Sequence, residues 1–285
     1  MAASWRKQVN VATATNEFKN KSIMVTGGGR GIGKRLALGF ARLGARIALI
    51  GRSKAEIELA QIEIEQAGGN ALQIRADVTD AERLAVAVDR ARVSFGSSID
   101  VLICSAAITG PLNSFLESDL QDWTEAIRIN LLGIVHSCRA VLPGMMEKRS
   151  GKIIALVCDQ TPKLNFSAYS TSKTAVVRFV ETLAAEVADH NIQINSFDPG
   201  PTYTSVTDEI IRAESRLEPK VVAAAKETRR TGGVSPELQL EHTMFLASER
   251  SNHITGKLID VTDDWKRLKN STLREDAFTL RRVQR

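Results

Sequence analysis

The sequence predicts an α/β protein: a Rossmann-type doubly wound parallel sheet of about seven strands, with helices on both faces. Three observations carry that prediction. Short β-branched runs alternate with longer helical patterns through most of the chain, a glycine-rich turn follows the first run, and the connections are long enough to cross between parallel strands. The strands fall at Ser22-Ile23-Met24-Val25, Arg46-Ile47-Ala48-Leu49-Ile50, Ala71-Leu72-Gln73-Ile74, Ile99-Asp100-Val101-Leu102-Ile103, Lys152-Ile153-Ile154-Ala155-Leu156-Val157, Ile192-Gln193-Ile194-Asn195 and Lys257-Leu258-Ile259. Most are near-continuous apolar runs, as strands covered on both faces require. Between them, Ile57, Ala60, Ile64 and Ala67 share one helical face that Gly68-Gly69 terminates. Ser235-Pro236-Glu237 supplies a helix cap and a proline at the first helical position.

Composition narrows the class. The chain has 285 residues, 43% hydrophobic and 25% charged, the balance of a globular protein and not of a disordered one. The net charge of +5 is spread along the chain, with no block of like charges, so no nucleic-acid partner is expected. No stretch reaches the ~18 consecutive apolar residues of a membrane span, so no membrane partner is expected. Cys104, Cys138 and Cys158 are odd in number and far apart, which argues for a reducing compartment and a cytoplasmic protein. The four histidines lack metal-ligand spacing, and no metal site is expected. We read residues 18–262 as one domain, residues 1–17 as a flexible extension and residues 263–285 as a basic tail.

Thr26-Gly27-Gly28-Gly29-Arg30-Gly31-Ile32-Gly33 runs from the first strand into the first helix. A chain that turns sharply there, brings backbone N–H groups against a pyrophosphate and packs helix closely on strand needs glycine at several positions. In this strand–turn–helix setting the motif predicts a dinucleotide, with Gly27, Gly29, Arg30, Gly31 and Ile32 at the cofactor. A carboxylate about 20 residues further on would bond a ribose 2′-hydroxyl. Here the second strand ends in Ile50-Gly51-Arg52-Ser53, with no acid. Arg52 and Ser53 suit a 2′-phosphate through charge-assisted bonds, and Arg30 is a second clamp, so the expected cofactor is NADP(H).

Ser167-Ala168-Tyr169-Ser170-Thr171-Ser172-Lys173 leads into an apolar helix over residues 174–187. A tyrosine and a lysine four apart share a helical face, and the ammonium would stabilise phenolate and lower the phenol from its usual value near 10. That is how a tyrosine becomes an acid/base catalyst.

With these motifs together, the chain resembles the short-chain dehydrogenase/reductase family over residues 18–262, most of all its 3-oxoacyl-carrier-protein reductase-like branch. The resemblance implies reversible hydride transfer between NADP(H) and a carbonyl or secondary alcohol carbon of a small molecule. It implies Tyr169 as general acid/base, Lys173 as its tuner and ribose contact, and Asn130 as the holder of a proton-relay water. It also implies Asp77 and Val78 at the adenine, Ala106 at the cofactor, and Pro199, Gly200, Thr202 and Thr204 in the turn beside the nicotinamide. Residues 123–146 and 174–187 would form the face of a homodimer or homotetramer.

Departures from the family pattern matter as much. The serine that bonds the substrate oxygen is replaced by Cys158, followed by Asp159, and a thiol is a weaker donor than a hydroxyl. Thr161 and Ser167 are candidate substitutes. Ala107 stands in Cys104-Ser105-Ala106-Ala107 where the family has glycine. The tail, with Trp265, Phe278 and Leu280, is expected to pack on something, either closing one side of its own substrate pocket, which we favour, or reaching into a neighbouring subunit. Residues 203–231 read as a helical lid that sets substrate choice. Two other function classes stay open beside the reductase: a non-catalytic NADP(H)-binding sensor or partner subunit, and a lyase, dehydratase or epimerase using the same dyad.

Overall fold

The computed structural model describes residues 17–158, 161–268, 273–274 and 276–280. The expected extension at residues 1–17 therefore lies outside the described residues except for Glu17, as do Asp159 and parts of the tail.

Seven strands form one parallel sheet: β1 (Ser22–Thr26), β2 (Arg46–Gly51), β3 (Asn70–Arg75), β4 (Val101–Cys104), β5 (Gly151–Leu156), β6 (Ile192–Asp198) and β7 (Leu258–Asp260). Their order is β3-β2-β1-β4-β5-β6-β7, so the winding reverses between β1 and β4. A crevice opens at the carboxyl ends of the strands where such a sheet reverses, and it is the usual ligand site of this architecture.

The helices are α1 (Gly31–Arg42), α2 (Lys54–Gln66), α3 (Ala81–Phe95), α4 (Leu120–Ile127), α5 (Gly133–Glu147), α6 (Ser167–Glu186), α7 (Ser205–Arg212), α8 (Pro219–Thr231), α9 (Pro236–Ala247) and the short α10 (Trp265–Leu268). Successive strand residues feed opposite cores. Ile23, Val25, Ile47, Leu49, Ile103 and Ile154 pack with the α1, α2 and α9 side chains, whereas Met24, Ala48, Ile50, Leu102 and Ile153 pack with α3, α5 and α6. This period-two alternation inside a uniformly apolar run is why both faces need helices.

Local signals act as the sequence predicts. Ser235 Oγ accepts from Leu238 N at 3.2 Å at the start of α9, and Ile57, Ala60 and Ile64 are the buried face of α2. Gly68, at φ 81°, ends that helix in the left-handed region that glycine alone enters without strain. Two expectations shift. Tyr169 and Lys173 lie within α6, which starts at Ser167 and not after the motif. The run expected at 123–146 is two helices joined by a π turn at Arg128–Leu132, and together Leu120–Glu147 is long and apolar enough to cross a membrane.

The tail does not line the pocket in its described part. It folds back on β7: Leu258 N donates to Phe278 O at 2.8 Å, and Lys257 Nζ donates to Arg274 O at 3.2 Å. Leu280 is held at both ends, its N–H by Glu181 Oε1 at 2.6 Å and its carbonyl by Arg178 at 2.7 Å. Trp265 packs on Phe245 at 5.3 Å between ring centroids, and Leu273 and Phe278 join the same core. A three-residue edge strand offers unpaired backbone groups, and the tail satisfies one of them and covers its apolar side. Truncation after Thr262 removes this cover. We expect the melting temperature to fall by roughly 10 °C, from several large side chains lost in a chain of this size; an unchanged thermal melt would show that the tail contributes nothing to the fold.

Candidate active site

The crevice at the sheet reversal is a cleft of about 1220 Å³. One end is lined by Gly27, Gly29, Arg30, Gly31, Ile32, Arg52, Ser53 and Val78, the middle by Ala106, Ala107, Cys158, Tyr169 and Lys173, and the roof by residues 198–208 with Val221 and Thr228. Of the cofactor residues expected from the sequence, only Asp77 is missing from the lining. Its carboxylate is occupied instead, accepting from Thr79 N and Thr79 Oγ1 at 2.9 Å and pairing with Arg52 at 3.8 Å.

The glycine turn fits a dinucleotide on the evidence of its own packing. A Cβ on Gly27 would lie 2.8 Å from Ala106 N, and one on Gly33 would lie 2.5 Å from Gly27 O, so neither position accepts a side chain. At Gly31, φ is 56° and only the Thr204 side chain comes within 4 Å of a Cβ position. The first turn of α1 carries no side-chain cap and no acidic residue. Its N–H groups and the positive end of its dipole therefore face the cleft, the arrangement that binds a pyrophosphate.

The opposite wall is held by side chains the sequence did not single out. Gln239 Nε2, fully buried in α9, donates to Pro199 O at 2.9 Å and to Thr202 Oγ1 at 2.5 Å. Thr202 Oγ1 donates in turn to Gly200 O at 3.0 Å, and Thr207 Oγ1 donates to Thr202 O at 3.1 Å. Thr204 and Thr207 cap α7 reciprocally, which fixes the turn opposite Gly31.

At the centre, Asn130 sits fully buried in the π turn. Its Oδ1 accepts from Ile108 N at 2.9 Å, and its Nδ2 donates to Ile108 O at 2.9 Å and to Ser172 Oγ at 3.0 Å. Ser172 Oγ donates to Tyr169 O at 2.7 Å. Both polar atoms of the Asn130 side chain are thus committed to protein, and that side chain does not reach the cleft. Its contribution is position: it ties the segment after β4 to α6.

Tyr169 is hydrogen-bonded to Cys158. Lys173 Nζ donates to Leu156 O at 2.9 Å and lies 5.8 Å from the centre of the Tyr169 ring. Ser167, one candidate substitute for the missing serine, is engaged elsewhere, accepting from Trp123 Nε1 at 3.1 Å. The phenol is raised in this arrangement and not lowered as the spacing predicts. Burial pushes Tyr169 well above its ordinary value, and Cys158, Asp198 and Glu209 push the same way. Burial also lowers Lys173, against the pull of Cys158, Cys104 and Asp198.

At the substrate end, Phe166, Leu112, Leu217 and Val222 form a small apolar cluster against which Tyr169, Ile210 and Val221 pack. Three polar ties hold the lid over it. Thr109 Oγ1 donates to Glu209 at 2.5 Å, Arg216 donates to Asn113 at 2.8 Å, and Asn165 Nδ2 donates to the Arg216 carbonyl.

At the other end both expected arginines have carboxylate partners, Glu56 for Arg30 at 3.4 Å and Asp77 for Arg52 at 3.8 Å. Glu56 lines the cleft and was not among the residues expected there. The signal was available: Ser53-Lys54-Ala55-Glu56 is a capping-box pattern, and Ser53 Oγ does accept from Glu56 N at 3.3 Å. That pattern puts Glu56 in the first turn of α2, beside the end of β2.

Comparison with known proteins agrees with this geometry. The family model for short chain dehydrogenases matches residues 21–215. An oxidoreductase of Salmonella typhimurium, UcpA, is 33% identical over 248 residues, covering 84% of this chain and 92% of that protein. A 3beta-hydroxysteroid dehydrogenase of Eggerthella lenta is 31% identical, covering 86% and 94%. An NAD+-bound xylitol dehydrogenase superposes with a TM-score of 0.78 at 28% identity, covering 86% of this chain and 98% of that one. The chain belongs to the short-chain dehydrogenase family. It is an NAD(P)-dependent oxidoreductase acting between alcohol and carbonyl groups.

A phenol held in its protonated form favours proton donation over proton acceptance. Alcohol oxidation should therefore climb with pH without a plateau up to about pH 10, while ketone reduction stays flat from about pH 6 to about pH 9. An oxidation profile that levels off near neutrality would show that Tyr169 is ionised there, against the direction its burial sets.

Proposed function

We propose that the protein is an NADP(H)-dependent reductase and dehydrogenase that moves hydride between the nicotinamide and a carbonyl or secondary alcohol carbon, with Tyr169 as general acid/base. The observation that carries this reading is the convergence of Tyr169, Cys158 and Lys173 on one wall of the cleft whose far end holds Arg30 and Arg52. The structures of the NAD+-bound xylitol dehydrogenase and of a 7 alpha-hydroxysteroid dehydrogenase with NADH and a 7-oxo bile acid support a nicotinamide dinucleotide in general. The preference for NADP(H) rests on the two arginines.

The dinucleotide, when bound, supplies or accepts the hydride. Gly27, Gly29, Gly31, Ile32 and the first turn of α1 would hold its pyrophosphate, and Arg30, Arg52 and Ser53 its adenosine end. Val78 would lie at the adenine, with Asp77 behind it as the partner of Arg52. Ala106, Pro199, Gly200, Thr202 and Thr204 would flank the nicotinamide. Tyr169 donates its proton to the substrate oxygen during reduction and takes it back during oxidation. Lys173, anchored on Leu156 O beside the tyrosine ring, would contact the ribose, and Cys158 would offer an S–H to the substrate oxygen. Asn130 keeps the wall and α6 in register.

Within the family we place the chain nearest the 3-oxoacyl reductase-like and sugar or alcohol dehydrogenase types. We also propose a cytoplasmic homodimer or homotetramer assembled through α5 and α6, a catalytic domain spanning residues 18–262 and a tail of residues 263–285. The second reading, a non-catalytic NADP(H) sensor or partner subunit, is favoured by Cys158 and Ala107 at positions where turnover demands a strong donor and close backbone approach.

The test follows NADPH absorbance with a panel of ketones, β-ketoacyl thioesters and keto sugars. Tyr169→Phe should reduce turnover at least ~10²-fold, since it removes the acid. Cys158→Ser should raise kcat about tenfold by restoring a hydroxyl donor. Tight NADPH binding without turnover in either the parent or the Cys158→Ser protein would favour the sensor. Separately, Arg52→Asp should shift the NADPH/NADH preference toward NADH by ~10-fold or more; an unmoved ratio would sink the NADP(H) assignment.

A further inference from the structure

The two arginines at the adenosine end of the cleft each have an acidic partner, which the proposed cofactor preference does not explain: Glu56 pairs with Arg30 and Asp77 with Arg52. The two acids are not equivalent. Asp77 is turned away from the cleft and fixed by Thr79. Glu56 lines the cleft, with its side chain 42% exposed and paired with an Arg30 that is 57% exposed.

Packing forces Glu56 into this place. A Cβ at Gly29 would lie 2.9 Å from Glu56 Cβ and 3.0 Å from its carbonyl carbon, so the glycine turn rests directly on the first turn of α2. Arg30 follows Gly29 in the chain and serves as the N-cap residue of α1, which leaves its guanidinium beside the Glu56 carboxylate. An exposed pair of this kind contributes little, and a single 3.4 Å contact is readily exchanged. A phosphate offers Arg30 charge-assisted, bidentate bonding that one carboxylate oxygen at this distance does not. A ribose hydroxyl offers a proton that a carboxylate accepts.

We infer that Glu56 is the specificity-determining residue of the adenosine end: its carboxylate competes with a 2′-phosphate for Arg30 and accepts the bond of a 2′-hydroxyl, so the chain takes both NADP(H) and NAD(H), with the preference for phosphate held down. The inference rests on the NADP(H) reading above and deepens it. The missing acid at the end of β2 is supplied from one helical turn further on. Unlike an acid at the strand end, it has an arginine to release when phosphate arrives.

The experiment uses nucleotide fragments and no turnover. Titration calorimetry on the full chain compares 2′,5′-ADP with 5′-AMP, which differ in the 2′-phosphate alone. The affinity ratio of the parent protein tests the NADP(H) reading, and the change in that ratio on Glu56→Gln tests the inference, so the two fail separately. We expect Glu56→Gln to tighten 2′,5′-ADP about fivefold and to weaken 5′-AMP about twofold, as removal of one exposed charge with an arginine partner allows. Opposite signs on two ligands are not what a loosened helix start would give. In Arg30→Gln the tightening should disappear, because the carboxylate then has no arginine to release. A ratio that Glu56→Gln leaves unchanged, or that moves equally with and without Arg30, overturns the inference, whatever the parent ratio is.

Discussion

The active-site wall depends on one buried amide. Asn130 meets Ile108 as a neighbouring strand would, giving one bond and taking one, and adds a third bond to Ser172. The segment after β4 has left the sheet at that point and has no strand to pair with. An unpaired backbone N–H or C=O buried there would cost about 1–3 kcal/mol. The π turn at Arg128–Leu132 makes the clamp possible, since the extra residue in that turn aims Asn130 inward instead of along the helix surface. From Ser172 the chain of bonds runs to the carbonyl of Tyr169. The segment after β4 and Tyr169 are thus set against each other by a single side chain that lies outside the cleft.

A second constraint works from the opposite wall. The turn after β6 must present backbone to the cleft, so its polar groups have to be satisfied from behind. Gln239 does this from α9 and the Thr202–Thr207 bond does it from the lid, which couples the roof of the cleft to the first core. The lid is tied in turn to residues 109, 113 and 165 on the far side. The turn after β6 and the helices that follow it therefore form one hydrogen-bonded body.

The sheet was legible because covered parallel strands leave little choice: seven apolar runs in the sequence correspond to seven strands, each within about three residues of its expected ends. The glycine turn, the Tyr169–Lys173 pair and Cys158 could be read because each is a local pattern with a chemical reason. What escaped was either relational or energetic. Asn130 was visible as a residue, but its commitment to Ile108 depends on a π turn that periodicity cannot distinguish from an α-helix. Gln239 is an unremarkable position on a helix until the β6 turn lies against it. The tail looked like pocket cover because aromatic residues imply packing, yet sequence does not say on what, and the edge of β7 was the nearer need. Helical spacing gives the proximity of Lys173 to the phenol and says nothing of the burial that raises it.

Four influences bear on Tyr169 in the same direction: burial, the Cys158 thiol, Asp198 and Glu209. Lys173 lies across the ring with its ammonium bonded to the β5 carbonyl of Leu156. A phenol so held is a proton donor at rest, which suits carbonyl reduction, where the oxygen acquires negative charge as the hydride arrives. On the proposed mechanism a thiol at position 158 would share the charge developing on the substrate oxygen less well than a hydroxyl, and would leave more of that stabilisation to Tyr169, whose burial keeps it protonated until the hydride arrives.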